Sequence, residues 1–517
     1  MKYKIEYWYS LFFLIISFFF LVYLVPPNMD EFLPYHRIAC EYYEFNSQNI
    51  FREKCTDHQS KFFGFEFYRN YNYVGISSSI IYAPFFYLSK TIYSHYFFSF
   101  FLFVIFSFIF TKVFKFKLIL FIIPLFYFPL QFQMIHDTGP IKISMISWIL
   151  IIYAISKIIK ENKQTFFFYF ILIFSIFFSI EDKAFIIFIF PQILFISILF
   201  SFFESNKSNY SKLFNKHKIY KFLNQNFNKI IIILSIFTIL IFLFLLFYKV
   251  KSEEAYISYY QLLLDDKSLN LSFHKELLYI LAYSFSPILF SSKIYQLSHF
   301  EILLSFFVFC LLFFLIFKPK NFKKIQIKYK ILFFSYFITI LVFLIFRKAW
   351  TGHHFIFLHL PIILGFCIYA NKNGINLLKT LIFLITIMLF TFTQLFFAKI
   401  YDYSDKSRNA IFKKLKEPYL ANNSVINFST WGGYYIQSLY GGEKQLVTYT
   451  DLLDIGHTEK LKKIKVKNNR KYIINVCFDE NINNKCTYDF LKIKFVNFKT
   501  IKPLIDNTGI WRAWIIY

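Results

Sequence analysis

The runs "LFFLIISFFFLVYLV" and "IIIILSIFTILIFLFLLF" contain no charged residue. A helix of about 17–25 apolar residues matches the hydrocarbon thickness of a bilayer and satisfies its own backbone hydrogen bonds there. Runs of this kind recur through the first four hundred or so residues, in a chain that is 57% hydrophobic with only 12 glycines among 517 residues. A soluble chain of this length would interleave far more charge. The expected fold is therefore an all-α polytopic membrane protein, with spans at 8–25, 94–111, 118–134, 141–158, 165–180, 184–203, 229–249, 298–317, 331–346, 354–370 and 378–397, about 11 in all. The stretch "ISSSIIYAPFFYLSK" is short and broken by Pro84, which suits an interfacial or re-entrant helix.

The formal net charge of +27 first suggests a nucleic-acid partner. Its distribution argues against one, because the lysines cluster in short connections between apolar runs. Positive charge so placed sets topology and meets anionic lipid. With the N-terminus inside, the cytoplasmic connections hold Lys112, Lys115 and Lys117, then Lys157, Lys160 and Lys163, then five lysines of 204–228, the six of 318–330, and Lys372. The alternate connections, 135–140, 181–183 and 347–353, are short and carry acids and histidines. No small-residue cleavage pattern follows Val25, so the first run reads as an uncleaved span.

From about residue 399 the pattern changes to glycines ("WGGYYIQSLYGGEK") and short alternating runs, "VINFS", "QLVTYT", "YIINVCF", "LKIKFVNF" and "AWIIY". This division makes 1–398 a transmembrane domain, with 26–93 its first outside loop, and 399–517 a small extracytoplasmic α/β domain. Cys40 with Cys55 and Cys477 with Cys486 form two local pairs on that outer side, where two disulfides fit and four free thiols are the alternative. Cys310 and Cys367 lie in apolar runs as packing residues.

Ionisable residues collect at the outer ends of the spans. Asp30 and Glu31 follow the first, His136 and Asp137 the third; Glu181, Asp182 and Lys183 join the fifth to the sixth, and Arg347, Lys348, His353 and His354 precede the tenth. Any one of them alone suits a solvated helix end, a loop ion pair or a snorkelling side chain. Charges near hydrocarbon usually turn toward a cavity or a partner, so four such groups on one face point to a polar site at the outer membrane boundary.

These residues carry a resemblance. "DEFLPYHRIA", "GISSSIIYAPFF", "EDKAFIIFIFP" and "GHHFIFLHLPIIL", with a first span and a large outer loop opening on an Asp-Glu pair, resemble the GT-C glycosyltransferases. The similarity is greatest to bacterial members of the dolichyl-phosphate-mannose-protein mannosyltransferase type, and "VINFSTWGGYYIQSLYGGEKQLVTYTD" resembles a segment of external domains in related membrane proteins. The resemblance implies an enzyme of the bacterial inner membrane that moves a sugar from a polyprenyl-phosphate carrier to a glycan, lipid or protein acceptor at the outer face. Asp30 would be the base that takes the acceptor proton, with Glu31 positioning it or the acceptor. Lys183, Arg347, His353 and His354 would stabilise the departing phosphate, with His136 beside them. Asp137 would orient the acceptor or bind a divalent ion, the one cofactor in question. Competing classes are a lipid-linked glycan flippase, an O-antigen ligase or polymerase using the sizeable 251–297 connection, and a non-catalytic envelope scaffold that binds through loops near Trp431 and Gly441.

Overall fold

The computed structural model describes residues 12–22, 59–62, 65–68, 81–82, 84–85, 88, 92–136, 141–160, 166–182, 186–205, 216–251, 359–371, 374–397, 425–429, 448–449, 471–475, 501–508 and 511–516. Most of them are helical. In chain order the helices are α1 (Phe12–Val22), α2 (Ile92–Val113), α3 (Ile122–Phe126), α4 (Phe128–His136), α5 (Lys142–Lys160), α6 (Phe166–Asp182), α7 (Ile186–Ser205), α8 (Lys216–Lys251), α9 (His359–Ala370) and α10 (Gly374–Phe397). They fall on the apolar runs, except that α8 begins at Lys216 and takes in the lysine-bearing residues 216–228 expected in a connection. Among the described residues three helices are long and apolar enough to cross a membrane, or four if one bent pair counts as a span. The spans expected at 298–317 and 331–346 lie outside the described residues.

Helix α5 is the centre of the bundle. Of the most apolar 18 residues within Lys142–Lys160, 78% are buried, against 11% within Ile219–Phe244 of α8. Helix α5 packs against α2, α6 and α7, and its two ends show that α6 runs antiparallel to it. Ser144 and Trp148 meet Asp182 and Ser179 at one end, while Tyr153 meets Phe168 at the other. Lipid tails are as apolar as leucine, so such helices associate through close packing and interhelical polar contacts rather than hydrophobic burial. The sequence supplies both. Buried Ser197 and Ser201 donate to carbonyls four residues back, Ile193 O at 2.6 Å and Ser197 O at 2.7 Å, which leaves small, satisfied surfaces against α5. Phe190 of α7 stacks flat on Phe237 of α8 with centroids 3.6 Å apart.

The run expected as a single third span, 118–134, is broken. A 3-10 turn at Leu118–Phe121 leads into α3, and α4 then departs at 75°. The break falls at Tyr127, whose backbone is extended (φ −75°, ψ 92°). Pro129 favours the break: it has no N–H, and its ring would clash with the carbonyl of Leu125 in a straight helix, although Pro191 is accommodated inside α7. Pro129 is tolerated in the first turn of α4, where the backbone donors have no intrahelical acceptor anyway.

Helix α2 ends in a Schellman motif. Phe116 N donates to Thr111 O at 3.0 Å and Lys115 N to Lys112 O at 3.1 Å. Lys115 itself holds φ 54°, the left-handed position that such an ending normally gives to glycine.

Two strands, β1 (Gln59–Phe62) and β2 (Phe65–Tyr68), pair antiparallel between α1 and α2 in sequence. Five more, β3 (Val425–Ser429), β4 (Thr448–Tyr449), β5 (Lys471–Asn475), β6 (Ile501–Thr508) and β7 (Trp511–Ile516), form one sheet in the order β4-β3-β5-β7-β6. The β3 pairings are parallel and the β7 pairings antiparallel. Parallel neighbours need crossovers of about a dozen residues or more, and the connections 430–447 and 450–470 are long enough. Pro503 falls on the edge strand β6, where a missing ladder donor is tolerated. The run "LKIKFVNF" lies outside the described residues.

Candidate functional site

Buried polar side chains gather where the start of α2, the end of α4, the start of α5 and the end of α6 meet. Lys142, the first residue of α5, is only 2% exposed. Its ammonium donates to Tyr82 Oη at 2.8 Å and Ser99 Oγ at 2.6 Å, and lies 3.1 Å from His95 Nε2, which accepts from it. Three protons thus meet three acceptors. Ser99 donates onward to His95 O at 2.7 Å and lies 3.1 Å from Tyr82 Oη. Since the Ser99 proton is committed to that carbonyl, the phenol is the donor to Ser99. The Tyr82 ring stacks on the His95 imidazole with centroids 4.5 Å apart and takes Phe98 edge-on at 4.6 Å. Lys142 Nζ lies 5.4 Å from the Tyr82 ring centroid, beyond the hydroxyl and close to the ring plane, so the contact is the hydrogen bond alone. A cation at a helix N-terminus opposes the helix dipole, and a buried one costs desolvation as well. The three acceptors offset part of this cost.

The carboxylate of Asp182 does the opposite. It closes the C-terminal end of α6 and is fully buried, which its own helix dipole disfavours. However, Asp182 Oδ2 accepts from Ser144 N and Ser144 Oγ, both at 2.8 Å. Ser144 is in the first turn of α5, where the backbone N–H groups have no partner within the helix. Asp182 therefore caps α5 from the neighbouring helix and places its charge at the favourable end of that dipole. One turn further along α5, Trp148 Nε1 donates to Ser179 Oγ at 2.8 Å and fixes the same pair of helices.

The third part ties α1 to α4. His136 Nε2 donates to Leu21 O at 2.9 Å, one of the carbonyls that the end of α1 leaves open. Its ring meets Tyr96 edge-on at 5.2 Å, so this contact and the Lys142 cluster adjoin through neighbouring residues of α2. A helical turn back, Gln131 Nε2 donates to Ser17 Oγ at 2.6 Å. The Gln131 carbonyl oxygen is buried with no hydrogen-bond partner among the described residues. At the bend between α3 and α4, Tyr127 Oη lies 3.1 Å from His359 Nδ1 at the start of α9.

Of the residues expected to form the site, His136 is described, and its ring bonds a backbone carbonyl rather than facing solvent; it is 1% exposed. Glu181 and Asp182, expected in a loop, belong to the last turn of α6 and are buried. Asp30, Glu31, Asp137, Lys183, Arg347, His353 and His354 lie outside the described residues, as do Cys40, Cys55, Cys477 and Cys486. Sequence reasoning missed Lys142, His95, Ser99, Tyr82 and His359. The signal for Lys142 and His95 was present: each is ionisable and lies within the first turn of an apolar helix ("KISMISWILII" and "IYSHYFFSFF"). No group of three or more metal-ligating side chains occurs among the described residues. Chemically, the arrangement offers an ammonium, a carboxylate, two imidazoles and several hydroxyls at one end of an apolar bundle.

No protein-family model matches the chain, and no curated protein matches it significantly.

Proposed function

We propose that this chain is an integral-membrane glycosyltransferase of the GT-C kind, which transfers a sugar from a polyprenyl-phosphate donor to a glycan, lipid or protein acceptor. In this reading about 11 spans anchor it in a bacterial inner membrane. The N-terminus is cytoplasmic, and the 399–517 α/β domain stands outside. The observation that carries the proposal is the buried polar cluster of Lys142, His95, Ser99, Tyr82, Ser144 and Asp182 at one end of an otherwise apolar bundle. Ionisable residues within membrane helices are costly, pair with one another, and mark polar substrate pathways. Helix α1 ends against the same cluster through His136 and leads in sequence to Asp30 and Glu31.

Asp30 is the proposed base for the acceptor hydroxyl, and Glu31 positions it. Lys183, Arg347, His353 and His354 hold the lipid phosphate as it leaves. Asp137 orients the acceptor or ligates a divalent ion.

The test uses membranes containing the chain and a labelled polyprenyl-phosphate sugar. Wild type forms labelled product, and Asp30→Asn slows transfer by about a hundredfold or more. Transfer at the full rate in Asp30→Asn removes that residue from the base role. No transfer by wild type from any polyprenyl-phosphate sugar overturns the reaction itself.

A second reading has one observation in its favour. Broken helices within the membrane line the pathways of many transporters, and α3–α4 is bent by 75°. Lipid-linked glycan flux across sealed vesicles without covalent transfer would assign the chain to that class.

A further inference from the structure

The residues from Val22 to Ile81 form a long excursion between α1 and the helical turns at 81–82 and 84–85, and this excursion carries Asp30 and Glu31. Both of its ends are held by buried polar side chains. On the α1 side, His136 donates to Leu21 O. On the return side, Tyr82 is 1% exposed and enclosed by Lys142, Ser99, His95 and Phe98. Phe85 adds a second contact, with its ring 4.1 Å from that of Phe98.

We infer that Lys142 is a positioning residue: its ammonium anchors the return of this excursion to the bundle, and with His136 it fixes both ends beside one polar cluster. The geometry points to an anchor, because the ammonium bonds at once to Tyr82 on the return segment and to Ser99 and His95 on α2. The two clamps are mechanically joined. His95 belongs to the Lys142 set, and its chain neighbour Tyr96 packs on the His136 ring. Helix α2 therefore registers one end of the excursion against the other. Lysine suits this place because a flexible stem ending in a tetrahedral ammonium reaches three acceptors on two different segments, which arginine's planar fork does not match. The functional half of this inference rests on the role proposed above for Asp30 and Glu31; the anchoring half does not.

Hydrogen exchange on the full-length protein in lipid nanodiscs reads the anchor directly. The variants are Lys142→Met and Tyr82→Phe, the second retaining the ring and removing only its hydroxyl. Backbone amides across residues 80–88 are expected to exchange about tenfold faster in Lys142→Met, and severalfold faster in Tyr82→Phe. Amides of α5 beyond Trp148 should keep their protection. Unchanged exchange across 80–88 in both variants overturns the anchor. Should Lys142→Met lose protection everywhere, Tyr82→Phe alone decides.

The same preparations are then assayed with labelled polyprenyl-phosphate sugar. A positioning role lowers kcat about tenfold in Tyr82→Phe while the donor KM moves less than about twofold. A loosened segment with an unchanged kcat overturns the positioning role. If wild type transfers no sugar, the proposed function fails, and the anchor still stands or falls on exchange.

Discussion

Replacing Asp182 tests whether the α5–α6 contact is a cap between helices or an incidental hydrogen bond. In Asp182→Ala the Ser144 N–H is left in the first turn of a buried helix, with its acceptor at 2.8 Å removed. An orphaned buried amide costs about 1–3 kcal/mol. Loss of the carboxylate removes a favourable interaction with the α5 dipole and relieves an unfavourable one with the α6 dipole, each about 0.5–1 kcal/mol, so the two nearly cancel. Ser144 Oγ also loses its 2.8 Å acceptor, worth roughly 0.6 kcal/mol by the average for polar contacts between membrane helices. The alanine variant should therefore be destabilised by about 2–4 kcal/mol. Asp182→Asn keeps an acceptor oxygen in the same place and gives up only the charge, so it should lose about 1 kcal/mol. Unfolding by SDS in mixed micelles, followed by tryptophan fluorescence, reads both values against wild type. An alanine variant within about 0.5 kcal/mol of wild type would refute the cap. So would an asparagine variant as unstable as alanine, because the retained acceptor would then count for nothing.

Three further outcomes are expected. Lys115→Gly should stabilise the chain by about 1 kcal/mol in the same SDS titration, since glycine holds φ 54° without the steric cost of a Cβ; a loss of stability would mean that the lysine side chain outweighs its strain. Trp148→Phe, which removes the 2.8 Å bond to Ser179, should cost about 0.6–1.7 kcal/mol, and Trp148→Phe combined with Ser179→Ala should cost little more than the single change. Gln131→Leu gives up the 2.6 Å bond to Ser17 along with an amide oxygen that has no partner among the described residues. Those effects oppose one another, so its unfolding should lie within about 1 kcal/mol of wild type.

The helices were legible because bilayer thickness sets one length for all of them. The run 141–158 and the helix Lys142–Lys160 agree within two residues at each end, and 184–203 and Ile186–Ser205 agree equally well. The bend was also written in the sequence, as Pro129 inside "FYFPLQFQMIH", but hydropathy sums pass over a proline that keeps the run apolar. Pairings between distant side chains were not legible. Lys142 and Tyr82, 60 residues apart, meet only because α5 and the 81–85 turns flank the same end of α2. His136 was singled out from its place at a span end, yet its ring serves the carbonyl of Leu21, 115 residues earlier. Residue type and depth are sequence properties; the direction a side chain faces within a bundle depends on neighbours not yet placed. In the later sheet, "VINFS" and "AWIIY" were legible as strands by alternation, whereas β6 with its Pro503 was not.

The central helix also bears on biogenesis. Helix α5, with the lowest mean hydropathy of the three membrane-length helices (1.7, against 2.5 for Ile219–Phe244), is the one most enclosed by protein. As each span leaves the ribosome, α5 emerges before α6 and α7, the two helices that supply Asp182, Ser179 and the serine face that shelter it. A weakly lipophilic segment bearing a lysine at its leading end thus gains its polar partners only after two later helices have been made. A substitution on α6 or α7 that leaves every reactive group intact can therefore still lower the amount of protein, by removing the partners on which α5 depends.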